Sequence, residues 1–211
     1  MRRVAICLCA VLLAAACGGD DASAPAATDA AAATTTPIGA APDRTQVSGT
    51  ALPQFEQLED DPAVGRQAPL VVGADLLTGA EVRIENQGRP MVVAFYAHWC
   101  PHCQNEVEDL TGWLETNELP AGVDFYAVSV LEDATRGNHP PDQWLRDEGW
   151  QHPVVADTPA MSVVDAFGLV SVPYLVAVDA GNEVVLRFAG NIPGGAPELA
   201  AFFTTLLEPA S

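Results

Sequence analysis

Two cysteines sit in the stretch HWCPHCQNE, residues 98–106, as Cys100 and Cys103 with Pro101 and His102 between them. A Cys-x-x-Cys pair can ligate a soft metal, staple a fold, or exchange electrons as a dithiol and disulfide. A structural zinc ribbon needs a second such pair, and the sequence has none. A bridge over two intervening residues closes almost no loop, so it constrains the unfolded chain little and makes a weak staple.

The other three cysteines lie at the start of the chain. Arg2 and Arg3 precede the apolar run VAICLCAVLLAAA, and Cys17 follows it. A charged beginning, an apolar stretch too short to span a bilayer and small residues before a cleavage point describe a signal peptide, expected over 1–16. The string LLAAAC resembles a bacterial lipobox, with Ala14 where that family prefers Leu. The resemblance implies that Cys17 becomes the first residue and carries lipid, an anchor without a transmembrane helix; an ordinary secretory signal with an incidental cysteine is the alternative. Cleavage removes Cys7 and Cys9, so Cys100 and Cys103 are the thiols left, on the extracytoplasmic side where disulfides persist. The expected location is the outer side of the cell membrane, periplasmic or at the cell surface.

Charge narrows the partners. The chain has nine arginines, no lysine and 28 acids, for a net charge of −19. Such a surface argues against nucleic acid and against adhesion to anionic lipid. Residues 17–51, rich in Ala, Thr, Pro and Asp and without an aromatic, cannot bury a core and are expected to form a disordered tether. As a flexible coil this segment would span about 30 Å. Residues 52–211 remain, enough for one domain expected to act as a monomer.

The elements that must position the cysteines follow from hydrophobic patterning. APLVVGADLLTGAEVRIE predicts two strands around a Thr78-Gly79 turn. PMVVAFYA, 90–97, is a continuous apolar run that suits a buried central strand. From Pro101 to about Thr116 the pattern turns helical, with Val107, Leu110 and Leu114 on one face. VDFYAVSV is a strand, PPDQWLRDEGW a helix, and PVVAD a short strand. Thr158 is expected to cap a helix that has Pro159 at its first position. PYLVAVD and EVVLRF pair around Ala180-Gly181-Asn182, and Leu199, Phe202, Phe203 and Leu206 mark a closing helix. Strands alternating with helices, with a hairpin at the end, predict an α/β fold with a mixed central sheet.

A buried strand running into FYAHWCPHC, and VSVPYLVAVD some 70 residues later, resemble the thioredoxin fold over roughly residues 63–207. The hairpin before the core strand and the long middle segment, 131–168, look most like its TlpA, ResA and DsbE branch. WCxxC after an apolar strand, Glu106 three residues past the second cysteine, and Val172-Pro173 before a strand carry the resemblance. Val107 and Glu108 follow Glu106 where the branch often has a proline, and Pro101-His102 is the dipeptide familiar from DsbA-type oxidants. The resemblance implies a thiol–disulfide oxidoreductase acting on protein cysteines with an unidentified redox partner, using the Cys100–Cys103 disulfide and no cofactor or metal. It also implies a cis Val172-Pro173 bond opposite the cysteines; a trans proline opening an edge strand is the reading from sequence alone.

With the helix starting at Pro101, Cys100 falls at its N-cap, where unpaired amides and the macrodipole favour a thiolate. Cys100 is then the nucleophile, and Cys103, one turn in, resolves the mixed disulfide. His102 adds a donor or charge beside Cys100, or is a solvated turn residue. Pro101 is a good first helical residue. Trp99 shields the disulfide or simply packs. In the resembling branch a glutamate at position 106 assists proton transfer; any Glu in a first helical turn is also favoured by the macrodipole. Ala94 stands where ordinary thioredoxins carry a buried aspartate. His98, His139 and His152 are expected at the surface. Two other functions compete: a copper chaperone drawing on His139 or His152, against which the two-residue spacing counts, and a peroxidase, against which Ala97 counts, since peroxidases place Thr or Ser three residues before the reactive cysteine. Pro101-His102 and Val172 point toward oxidation as the working direction; Glu106 and the branch resemblance point toward reduction, as in cytochrome c maturation.

Overall fold

The computed structural model describes residues 45–207. The expected signal peptide, Cys17 and the expected tether up to residue 44 lie outside the described residues. Eight strands and four helices follow in the order β1 (Gln46–Ser48), β2 (Leu70–Ala74), β3 (Glu81–Ile84), β4 (Met91–Tyr96), α1 (Pro101–Leu114), β5 (Asp124–Ser129), α2 (Pro141–Asp147), β6 (Val154–Ala156), α3 (Ser162–Phe167), β7 (Tyr174–Val178), β8 (Val184–Ala189) and α4 (Gly195–Leu206). A five-stranded sheet has the order β6-β5-β4-β7-β8. β4 runs parallel to β5 and antiparallel to β7, so the sheet is mixed, as the thioredoxin resemblance implies.

Every residue of β4 is buried, which is why its sequence is a continuous apolar run rather than an alternation. Val93 and Phe95 face one layer, with Val163 and Phe167 of α3 and Val71 and Ile84 of the hairpin strands. Val92, Ala94 and Tyr96 face the other, with Cys103, Val107 and Leu110 of α1, Leu145 of α2 and Leu199 and Phe203 of α4. The period-two pleat thus delivers alternate side chains to two separate cores. The hairpin β2–β3 joins the β6 edge through Asp75, whose carboxylate accepts the Val154 N–H at 2.9 Å, and through Leu76 N–H to Val154 O at 2.8 Å.

Two boundaries differ from the sequence expectation. The tether was expected to reach residue 51, but Gln46–Ser48 form β1, paired antiparallel to β2, and the Thr45 hydroxyl donates to Ala156 O at 2.6 Å. Main-chain bonds to the hairpin hold this segment, and they leave no mark in composition. The helix expected to start at Pro159 begins instead at Ser162, after Met161 in a left-handed conformation with φ 57°. Asp157 supplies the cap, accepting the N–H groups of Val163 and Val164 at 2.8 and 3.1 Å. Thr158 contributes its hydroxyl to the Ser162 N–H at 3.1 Å. The cap is thus shared between Asp157 and its neighbour Thr158, and the left-handed Met161 moves the first helical residue from Pro159 to Ser162.

One buried ion pair ties the segment before β2 to the sheet. Arg187 of β8 is fully buried and donates through Nε to Asp61 at 2.8 Å. Its Nη1 donates to the carbonyls of Pro53 and Phe167 at 2.7 and 3.2 Å. Gly168, with φ +66°, lies where a Cβ would come within 2.3 Å of Pro53 O, so only glycine lets the segment approach. Burial opposes the Asp61 carboxylate, but hydrogen bonds from Arg187 and Ala63 and the Arg187 charge outweigh it and hold its pKa below 3.8. We expect Asp61→Asn to destabilise the fold by roughly 3–5 kcal/mol, because it strands a buried cation; urea unfolding measures it. The wild-type contribution is complete above pH 3.8 and is lost as pH falls through the depressed folded value.

Candidate functional site

β4 ends at Tyr96, and the four residues after it turn the chain into α1. Cys100 N–H donates to Ala97 O at 3.0 Å, and Cys100 O accepts the Gln104 N–H at 3.0 Å. Cys100 is therefore the N-cap of α1, in extended conformation (φ −83°, ψ 117°), with Pro101 as the first helical residue. Pro supplies a fixed φ and lacks the N–H that would be orphaned there. Gln104 steadies the turn by donating its side-chain amide to His98 O at 2.8 Å.

Both cysteines are free thiols. Cys100 retains 6% exposure and Cys103 none, so of the two only Cys100 is open to solvent. The Cys100 thiol lies 3.6 Å from Val172 O and donates to it. The Val172-Pro173 bond is cis, and the carbonyl of Val172 faces the cysteine from 72 residues away. Pro173 itself is buried, and its carbonyl accepts the Gly190 N–H of the β8–α4 turn at 2.8 Å. Burial pushes the Cys103 thiol far up, opposed by a backbone contact from Ala97 and reinforced by Cys100 and by the charge of Glu106.

Glu106 is 8% exposed and sits three residues beyond Cys103 on the same helical face. One carboxylate oxygen accepts the Tyr96 hydroxyl at 3.0 Å; the other accepts the Ile192 N–H at 3.0 Å and the Asn191 side chain at 3.4 Å. Burial raises the Glu106 pKa above 4.5, while these three donors favour the charged form and Asp109 opposes it. Asn191 also donates to His102 O at 2.8 Å, so one side chain touches both the motif backbone and the buried acid. Ala94 faces the same layer as Cys103; Glu106 is thus the carboxylate near that thiol.

Trp99 is half-buried, with its indole N–H donating to Leu131 O at 2.7 Å and the Arg136 guanidinium 3.8 Å from its ring centroid. Pro101 and His102 are exposed. His98, expected at the surface, is fully buried. The Asp133 N–H donates to its Nε2 at 3.2 Å, which puts the proton on Nδ1, and Nδ1 donates to Gly137 O at 2.8 Å. Its role is to fasten the 131–139 loop to the motif, and no local pattern signals that. His139 is exposed and binds Glu132 at 2.9 Å. His152 is half-buried against Phe125 and Trp150, and burial lowers its pKa. The structure therefore gathers Trp99, Cys100, Pro101, His102, Cys103, Glu106, Val172 and Pro173 around the end of β4, and adds Tyr96, His98, Arg136 and Asn191, which the sequence did not single out for the site.

Comparison with known proteins bears on the family and the fold. The AhpC/TSA family model matches residues 64–187. A thiol:disulfide interchange protein DsbE homolog of Paracoccus denitrificans (strain Pd 1222) is 30% identical over 156 residues, 69% of this chain and 78% of that protein. The DsbE protein of Pasteurella multocida (strain Pm70) is 25% identical over 131 residues, 61% and 67% of the two chains. Among solved structures, a thioredoxin-family thiol:disulfide interchange protein from Chlorobium tepidum TLS shares the fold, with TM-score 0.54, 23% identity, and 67% of this chain and 96% of that one covered. The chain belongs to the AhpC/TSA family and, with its DsbE-type relatives, is a thiol–disulfide oxidoreductase.

Proposed function

We propose that this protein exchanges disulfides with the cysteines of other proteins outside the cytoplasm, through Cys100 and Cys103, while acyl chains on Cys17 hold it at the membrane. The observation that carries the reading is the asymmetry of the two thiols, with Cys100 at the α1 N-cap beneath Val172 O and Cys103 buried one turn deeper. In the reducing direction, the Cys100 thiolate attacks one sulfur of a substrate disulfide. The other substrate sulfur leaves as a thiolate and takes a proton. Cys103 then loses its proton and attacks Cys100 in the mixed disulfide. The products are the Cys100–Cys103 disulfide and a substrate dithiol; two electrons pass to the substrate, and the same steps reversed oxidise it.

The second step meets the larger obstacle, because burial holds the proton on Cys103. Glu106, in the same layer and with a raised pKa, is suited to receive it. Val172 contributes a main-chain carbonyl beside Cys100, and an extended substrate segment can pair with such a group whatever its side chains. Trp99 and Pro101 flank the nucleophile, and His102 offers a donor at the exposed rim.

Three outcomes test this reading. Cys103→Ser should accumulate mixed disulfides with host proteins through Cys100, visible on non-reducing gels, whereas Cys100→Ser should trap little; the reverse pattern exchanges the two roles. Glu106 becomes a base only as pH rises through its raised pKa, so the rate of mixed-disulfide resolution should fall as pH drops through that value. Glu106→Gln should abolish that limb and slow resolution by about 10²-fold, followed by stopped-flow fluorescence. Mass spectrometry of the native N-terminus should find Cys17 acylated, and an unmodified residue at another cleavage point removes the anchor.

A further inference from the structure

Arginine is this chain's sole strong cation, and most described guanidiniums are engaged by carboxylates. Arg83 pairs with Glu81 and Glu85, Arg89 with Asp124, Arg146 with Asp142 and Arg187 with Asp61. Arg66 turns to the carbonyl of Pro62 at 2.7 Å. Arg136 is exposed and has no carboxylate partner among the described residues. Of the acids in its own loop, Asp133 feels the Arg136 charge without forming an ion pair with it, and both Asp133 and Glu132 take other hydrogen-bond partners. Asp133 accepts the Thr135 N–H and hydroxyl at 2.9 and 2.6 Å, and Glu132 binds His139.

The cation is also held in place. Its guanidinium lies over the ring of Trp99, the residue immediately before Cys100. Main-chain groups on both sides of Arg136 are fixed to that strand end, Asp133 N–H and Gly137 O by the buried His98 and Leu131 O by the Trp99 indole. The Arg136 N–H closes the loop on Asp133 O at 3.0 Å. Stacking uses the face of a guanidinium and leaves the in-plane N–H groups at its edge, the ones that grip a carboxylate. A chain of net charge −19 repels acidic partners at long range, so a fixed cation beside the nucleophile acts locally, on a group already delivered there.

We infer that Arg136, stacked on Trp99, receives an Asp or Glu side chain lying next to the cysteine of the polypeptide that reacts at Cys100. This rests on the exchange function proposed above and adds a substrate preference to it. The test uses two synthetic peptides, each closed by one disulfide and identical except for Glu or Gln beside a cysteine. Each oxidises the reduced mature protein, and the second-order rate is followed by tryptophan fluorescence at low ionic strength. The Glu peptide should react roughly threefold faster, the scale of one exposed ion pair. Added salt should erase the difference, Arg136→Gln should bring the two peptides to one rate, and Arg136→Lys should keep part of the preference. Equal rates for both peptides in the wild type overturn the inference, as does a preference that survives Arg136→Gln. An Arg136→Gln variant slowed equally toward both peptides overturns it too, because Arg136 would then only be packing Trp99. If neither peptide reacts with the wild type, the exchange function itself falls, a result distinct from equal rates.

Discussion

The constraint on which the rest depends is the burial of β4 on both faces. A strand between a parallel and an antiparallel neighbour has all its main-chain groups committed to them, and its side chains must satisfy two cores at once. That leaves no freedom in direction, so the chain beyond Tyr96 emerges at one fixed point. The first turn of α1 packs directly over that end, with Val107 and Leu110 filling the layer beneath it. β7 enters antiparallel beside β4, which brings Val172 and Pro173, just before its first residue, to the same end of the sheet. The cysteine pair and the proline loop thus meet because of strand register.

Local polarity then separates two chemically identical thiols. Cys100 keeps a sliver of exposure and a carbonyl partner at the mouth of the helix; Cys103 lies in an apolar layer that penalises its charged form. At Cys103 an anion develops only if a proton acceptor is at hand. Glu106 is held in that layer by Tyr96 from the strand below and by Asn191 and Ile192 from the β8–α4 turn. Two elements, one of them more than 80 residues away, fix one carboxylate, and its raised pKa comes from burial in the same layer as Cys103.

The long segment after β5 departs most from what residue types suggest. A histidine beside a tryptophan and a cysteine invites a chemical role or a surface position, yet His98 is fully buried with both nitrogens spent on loop main chain. A buried polar side chain of this kind is tolerated because each of its hydrogen-bonding atoms is matched. The cost of ordering the loop is met by fastening it to the most rigid part of the molecule, the end of β4, and the loop in turn carries Arg136 to the edge of the cysteine motif.

Much of this was legible in the sequence. The apolar run 90–97 suited a buried central strand, the helical spacing of Val107 and Leu110 after Pro101 located α1, and Cys100 at its start followed from both. The strand pair around Gly181 and the closing helix with Leu199 and Phe203 were equally plain. These features are written in periodicity and in residues with strong local preferences, so they do not depend on distant partners. What sequence could not supply were contacts between residues far apart along the chain. β1 is held by main-chain bonds to the hairpin, and His98 reaches loop groups some 35 to 39 residues away. The environment of Glu106 likewise required Asn191, 85 residues on. Periodicity reports which face of an element is apolar; which polar atom lies opposite is decided only when the sheet closes, because hydrogen bonds are satisfied in space and not along the chain.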